Sequence, residues 1–152
     1  MRPGRVISGG QTGVDRAALD AALALGIPCG GTVPAGRLAE DGVVPDRYPV
    51  TESRSPDYPA RTEANVLAGD ATLILALKLP LAGGTLLTRE LALRHGKPVA
   101  VVLLDATDPA EGIRRFLEKT RPATLNVAGP RESSFPGIGE KARKALMTAW
   151  GP

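Results

Sequence analysis

The sequence has one cysteine, Cys29, and one histidine, His95. A disulfide framework within the chain is therefore excluded, and so is a zinc site built from several cysteines. Aromatic residues make up only 3%, so the core has to come from Ala, Leu, Val and Ile. The same scarcity removes the stacking platform on which single-stranded nucleic acid is held. A formal charge of +3 adds little, because a phosphate-tracking surface concentrates Lys and Arg on one face. The one basic cluster, Arg114, Arg115, Lys119 and Arg121, is interspersed with Glu111 and Glu118 and reads as a solvated helix face. No stretch approaches the about 18 to 20 apolar residues that cross a bilayer, and no apolar segment follows a basic start. These absences predict a cytoplasmic protein with no structural metal, no membrane partner and no nucleic acid partner.

Glycine and proline are what the chain has in quantity, 18 and 14 in 152 residues. That length suits one domain, residues 1–152, with many tight turns between regular elements. Strand and helix signals alternate. Arg5 to Ser8 reads as a buried strand, followed by a helix capped at Thr12 or Asp15 that runs to about Leu25 and stops at Gly26. Its apolar side is Ala18, Leu19, Ala22 and Leu23. A strand is expected around Cys29 to Val33, then a long irregular loop from Pro34 to Pro56, of a length usually reserved for function or disorder. A helix follows over Asp57 to Leu67.

Ala71 to Leu77 is apolar at every position but one, as a central parallel strand buried on both faces should be. Gly83 opens a helix to about Arg94, closed by His95-Gly96. Pro98 to Leu104 reads as a second doubly buried strand. Asp108-Pro109 starts a helix to about Lys119 by the N-cap and N1-proline rule. Ala123 to Ala128 is the last strand and Ile138 to Trp150 the last helix. Five strands alternating with five helices predict a three-layer α/β/α sandwich around a mainly parallel sheet.

In such a sheet ligands bind beyond the carboxyl ends of the strands. Three glycine-containing turns follow strands directly and should converge on one edge. The first is Ser8-Gly9-Gly10-Gln11-Thr12-Gly13. Its glycines let the backbone approach an anion closely, and the N–H groups opening the next helix favour negative charge. Thr12, Gln11 and Arg16 add donors. The run is neither a Walker A loop nor a dinucleotide fingerprint.

Gly83-Gly84-Thr85 repeats the pattern, with Thr85 and Thr88 on one side of the helix; Thr85 is either a ligand donor or simply an N-cap. Glu90 is the candidate acid or base. The third turn spans Asn126 to Arg131, where Asn126 is either a ligand contact or a brace for turn backbone. In the long loop Arg37 has two readings, a clamp on an anionic ligand or a surface partner for Glu40 or Asp41. Arg61 and Asn65 share a helix face and complete the candidate set. His95, at a helix end, suits the dipole there, and Cys29 reads as inert core.

Taken together these segments resemble the molybdenum cofactor carrier family. The likeness lies in Ser8 to Asp20, Gly36-Arg37-x-Ala39-Glu40-Asp41-Gly42, Arg61-Thr62-Glu63-x-Asn65-Val66, Gly83-Gly84-Thr85-x-x-Thr88 and Leu125 to Ser133, in the expected order. The resemblance implies a Rossmann-like fold related to the Lonely-Guy-type phosphoribohydrolases and assembly as a homo-oligomer, a dimer or tetramer. It also implies binding of a phosphate-bearing small molecule, a molybdopterin cofactor or a nucleotide, at the glycine-rich loops. Where the family often has Trp-Cys-Pro-Lys-Gly-Arg, this chain has Thr32-Val33-Pro34-Ala35-Gly36-Arg37, without the aromatic surface or the lysine. The related hydrolases carry Pro-Gly-Gly-x-Gly-Thr-x-x-Glu. In register Glu90 falls on the glutamate, and Leu86-Leu87 replaces Gly-Thr. Cleavage of a nucleoside 5′-monophosphate with Glu90 assisting is the alternative that the resemblance implies.

Overall fold

A computed structural model describes residues 1–152. Its main sheet has five strands, all parallel: β1 (Arg5–Ile7), β2 (Cys29–Gly30), β7 (Ala71–Ala76), β8 (Val99–Leu103) and β9 (Thr124–Ala128). Five helices flank it: α1 (Val14–Leu25), α2 (Tyr58–Ala68), α3 (Gly83–Arg94), α4 (Pro109–Thr120) and α5 (Ile138–Trp150). Helices α1, α4 and α5 pack together on one face, and α2 packs on α3 on the other. The layout is the α/β/α sandwich that the alternation of signals predicts.

The strand order is β2-β1-β9-β7-β8. Counted from β9 instead of from the chain start, this order becomes 3-2-1-4-5, the order of a doubly wound dinucleotide-binding sheet. The chain is thus a cyclic rearrangement of that topology, which requires its two ends to lie together. They do: Arg2 Nε donates to the Trp150 carbonyl at 2.8 Å. The switch point, where neighbouring connections leave in opposite directions, falls between β9 and β7.

Local chemistry explains most element boundaries. Gly26 closes α1 in the left-handed region, and the Asp108 side chain accepts from Glu111 N at the start of α4. The main core runs between the sheet and α1, α4 and α5, with Trp150, Leu125, Leu73 and Ile113 fully buried.

Several expectations change. The strand expected over Cys29 to Val33 is broken at Gly31, which only glycine can occupy: its φ is +126°, and a methyl group there would lie 2.1 Å from Ser8 O. Beyond it β3 (Thr32–Val33) leaves the main sheet and pairs with β6 (Thr51–Glu52). Strand β8 is half-buried along its whole length, because it is an edge strand. Leu23, placed on the apolar side of α1, is 44% exposed.

The Pro34–Pro56 loop is not irregular throughout. It holds a 3-10 turn (Ala35–Arg37) and the small hairpin β4 (Leu38–Ala39) and β5 (Gly42–Val43). Val44 and Tyr48 from this loop pack with Leu19 and Val33 in a second small core.

Candidate ligand-binding site

Beyond the carboxyl ends of β7 and β9 lies a cavity of about 560 Å³. The β7 side supplies Ala76, exposed Lys78 and the start of α3; the β9 side supplies Ala128 to Arg131, with Ser134 and Phe135. Gln11 and Asp15 from the first loop and helix, and Arg61 and Thr62 from α2, complete it. Its position is the switch point of the sheet, where this topology leaves a crevice.

The start of α3 is built for an anion. Ala82 at its N-cap offers no side chain to the first helical N–H groups, which therefore have no partner inside the helix. A methyl group built on Gly83 or Gly84 would meet nothing within 4 Å, and both residues line the cavity. The helix dipole adds positive potential there. Thr85 and Thr88 are both buried and line the cavity. Thr88 Oγ1 donates to Gly84 O at 2.9 Å, whereas the Thr62 and Thr85 hydroxyls have no partner within the chain.

The first glycine loop is organised differently from an open anion cradle, because the chain supplies the anion itself. Asp15 Oδ2 accepts from Gln11 N at 3.3 Å and from Arg61 Nη1 at 3.4 Å. Burial pushes the Asp15 carboxyl up to about 6, against the lowering effects of Arg61, the Gln11 N–H, Arg16 and Arg131. Gly9 exists to admit this pair: a methyl group there would lie 1.5 Å from Arg61 Nη1. Gly13, with φ of +80°, passes so close to Pro130 O that a methyl group would sit 2.5 Å from it. Neither Thr12 nor Asp15 caps α1; Gly13 occupies the cap position.

The remaining polar atoms of the loop close a clasp on the long loop. Gln11 Oε1 accepts from Thr12 N and Glu40 N, and Gln11 Nε2 donates to Tyr58 Oη. Glu40 accepts from Thr12 Oγ1, from Ser133 N at 3.1 Å and from Ser133 Oγ at 2.6 Å. These donors hold the Glu40 carboxyl below the usual carboxylate range, led by the Ser133 and Thr12 hydroxyls. Thr12 Oγ1 also accepts from Glu132 N at 3.2 Å. The clasp sets the course of the segment that carries Arg131.

Of the residues singled out in the sequence, Gln11, Arg61, Gly83, Gly84, Thr85, Thr88 and Arg131 line the cavity. Gly9, Gly10, Thr12 and Gly13 do not line it; Thr12 and Gly13 border a smaller, separate pocket with Arg16, Asp20, Glu132 and Arg143. Four others serve the fold instead. Arg16 is paired with both Asp41 oxygens, at 2.6 and 3.1 Å, and donates to Gly10 O. Arg37 is neither clamp nor partner of Glu40 or Asp41; it donates to the carbonyls of Val44, Pro45, Tyr48 and Val50. Asn65 bonds both the N–H and the C=O of Thr32. Asn126 Nδ2 donates to Thr72 Oγ1 at 3.2 Å in the sheet interior.

Glu90 lies outside the site. It is exposed and does not line the cavity, since two residues beyond Thr88 is about 160° away around an α-helix.

Asp15, Lys78, Ser134 and Phe135 were missed. Lys78 was within reach, because it follows the carboxyl end of the clearest strand. The aromatic surface absent from the Thr32–Arg37 segment comes from elsewhere. The Tyr58 ring lies 5.3 Å from the Arg61 guanidinium and 5.8 Å from that of Arg131, and Lys78 Nζ lies 5.6 Å from the Phe135 ring centre. No group of three or more His, Cys, Asp or Glu side chains converges to hold a metal ion.

Residues 6–150 match the model of the circularly permutated YpsA SLOG family, cpYpsA. The chain belongs to this family. Permutation in the family's description agrees with the 3-2-1-4-5 order counted from β9. The chain is also similar to a solved structure, a Putative molybdenum carrier protein from Syntrophus aciditrophicus SB. The two are 42% identical, with a TM-score of 0.93, over 99% of this chain and 96% of that one. No curated protein matches. No helix is long and apolar enough to cross a membrane.

Proposed function

We propose that this cpYpsA protein binds a phosphate-bearing small molecule, a nucleotide or a phosphorylated pterin such as molybdenum cofactor, in the β7–β9 crevice. The observation that carries the reading is the open α3 N-terminus, Gly83-Gly84-Thr85, facing a cavity that Lys78, Arg61 and Arg131 also line. Backbone N–H groups take the phosphate oxygens, and the cations supply the counter-charge. A volume of about 560 Å³ falls within the range of small-molecule sites, about 300 to 1,000 Å³. The similarity to the Syntrophus putative molybdenum carrier protein favours a cargo of the cofactor class.

Cleavage of a nucleoside 5′-monophosphate with Glu90 assisting is not supported by the geometry, because that carboxylate is on the solvent side of α3. The test is calorimetric titration with adenosine monophosphate, molybdate and purified molybdenum cofactor. Micromolar binding of a phosphorylated ligand, abolished by reversing the charge of Lys78, is the expected outcome. No heat from any of the three overturns the reading.

A further inference from the structure

The cavity, otherwise furnished for anions, contains a carboxylate. The Asp15 side chain is 6% exposed and lines the cavity. Its two oxygens differ. Oδ2 is held by Gln11 N and Arg61 Nη1, while Oδ1 has no hydrogen-bond partner within the chain and is not sealed from the cavity. An ionised carboxylate oxygen can only accept, and a buried one left without a donor costs free energy. A ligand lying against Oδ1 must therefore bring an O–H or N–H. A fully ionised oxyanion brings only acceptors and is repelled there.

We propose that Asp15 Oδ1 determines the specificity of this site, selecting phosphomonoesters whose organic part carries an O–H or N–H donor over bare oxyanions. The inference rests on the phosphate-binding reading above and adds the second half of the ligand. The phosphate end goes to the α3 N-terminus, and the donor end goes to Asp15. Arg61 and the Gln11 N–H fix the carboxylate so that Oδ1 faces the cavity.

The test compares three probes: methyl phosphate, whose organic part has no donor; ribose 5-phosphate, with hydroxyls; and guanosine 5′-monophosphate, with hydroxyls and ring N–H groups. Each is titrated into the wild type and Asp15→Asn. In the variant the amide oxygen takes the place of Oδ2 towards Gln11 N and Arg61, which turns the NH₂ to the cavity. An acceptor is replaced by a donor at nearly constant shape. In the wild type a donor-bearing phosphate binds about tenfold to a hundredfold more tightly than methyl phosphate. Asp15→Asn loses that advantage and binds methyl phosphate more tightly than the wild type does. Ribose 5-phosphate showing the advantage assigns the donor to the sugar; guanosine monophosphate alone showing it assigns the donor to the ring.

A second measurement needs no variant. The charged groups facing Asp15 are Arg61 on α2, Arg16 on its own helix and Arg131 beyond β9, with the Gln11 N–H. All favour the ionised form. Acidification of the wild type from about pH 7.5 to about pH 5 protonates Asp15 and lowers the same affinity ratio; using a ratio cancels the titration of the phosphate itself. An affinity ratio unchanged by both Asp15→Asn and acid overturns the proposal. Failure of all three probes to bind either protein overturns phosphate binding itself, and the selectivity with it.

Discussion

Arg2 Nε donates to the Trp150 carbonyl at 2.8 Å, and Arg2 Nη1 to the Leu25 carbonyl at 3.0 Å. The chain's beginning is thereby fastened to its end, next to the terminus of α1. Joining the two ends with a short glycine linker and opening the chain in the loop before β9, between Arg121 and Ala123, would restore an order that starts at β9. Nothing in the sheet would need to move. Such a permutant is expected to fold, with the far-ultraviolet circular dichroism of the parent and stability within about 2 kcal/mol of it. An unfolded permutant would show that the α4–β9 connection is needed to assemble the sheet.

Gly9 and Gly129 both sit where a methyl group has no room, but the obstacles differ in kind. At Gly9 the nearest atom is the tip of the Arg61 side chain, 1.5 Å away; at Gly129 it is the Leu75 carbonyl oxygen, 2.3 Å away, with Val14 close behind. A guanidinium can swing aside, whereas two backbones pressed together cannot. Gly9→Ala is expected to fold with a loss of about 1–3 kcal/mol and to bind phosphate ligands about tenfold or more weakly, because Arg61 leaves Asp15. Gly129→Ala is expected to lose more than about 3 kcal/mol, since β9 must part from β7. Urea denaturation and titration of the two variants read these outcomes separately, and equal stability losses would contradict the distinction.

Much of this was legible in the sequence because it is local. The last helix, Ile138–Trp150, coincides with its expected span: glycines flank it and its apolar residues repeat at helical spacing. The Asp108-Pro109 start of α4 was read the same way. The strand order was not readable, and with it went the half-buried state of β8, since an edge position depends on where β9 inserts. At the site, Thr85 and Thr88 were placed on one helix face by their spacing. Glu90 was placed by counting along a motif, and the helical angle carries it out of the site. Arg16 and Arg37 looked available as cations because the Asp41 carboxylate and the four carbonyl oxygens that occupy them gather only in three dimensions. Asp15, first considered as a cap, became a site residue once Arg61 from a distant helix was seen beside it.

Asp15 weakens the fold that displays it. Its folded pKa of about 6 lies above the 3.8 usual for a free aspartate. Well below pH 3.8 the carboxyl is protonated in both states and has no effect on stability. Between these values the folded protein keeps a proton that the unfolded chain has released, so stability falls as pH rises. Above about 6 the deficit is constant, at roughly 3 kcal/mol from about 1.4 kcal/mol per pKa unit. Asp15→Asn does not titrate. Its stability relative to the wild type is expected to grow by up to that amount between about pH 4 and pH 7. Urea midpoints across this range measure the difference; a difference independent of pH would mean that Asp15 is ionised in both states.

Lys78 and Arg37 separate binding from folding. Arg37 reaches four carbonyl oxygens of the Val44–Val50 segment, so its loss leaves those acceptors without donors. Arg37→Met is expected to cost about 2–3 kcal/mol of stability. The cavity itself is untouched, and in the folded fraction phosphate affinity changes less than about threefold. Lys78 is exposed, lines the cavity and makes no ion pair, with only the Phe135 ring beneath it. Lys78→Met is expected to leave stability within about 0.5 kcal/mol and to weaken phosphate binding about tenfold, with a shallower dependence on salt. Thermal melts and titrations at two salt concentrations test both halves. If Arg37→Met abolished binding in a protein that still melted cooperatively, Arg37 would be a ligand contact after all and its four carbonyl bonds a resting arrangement.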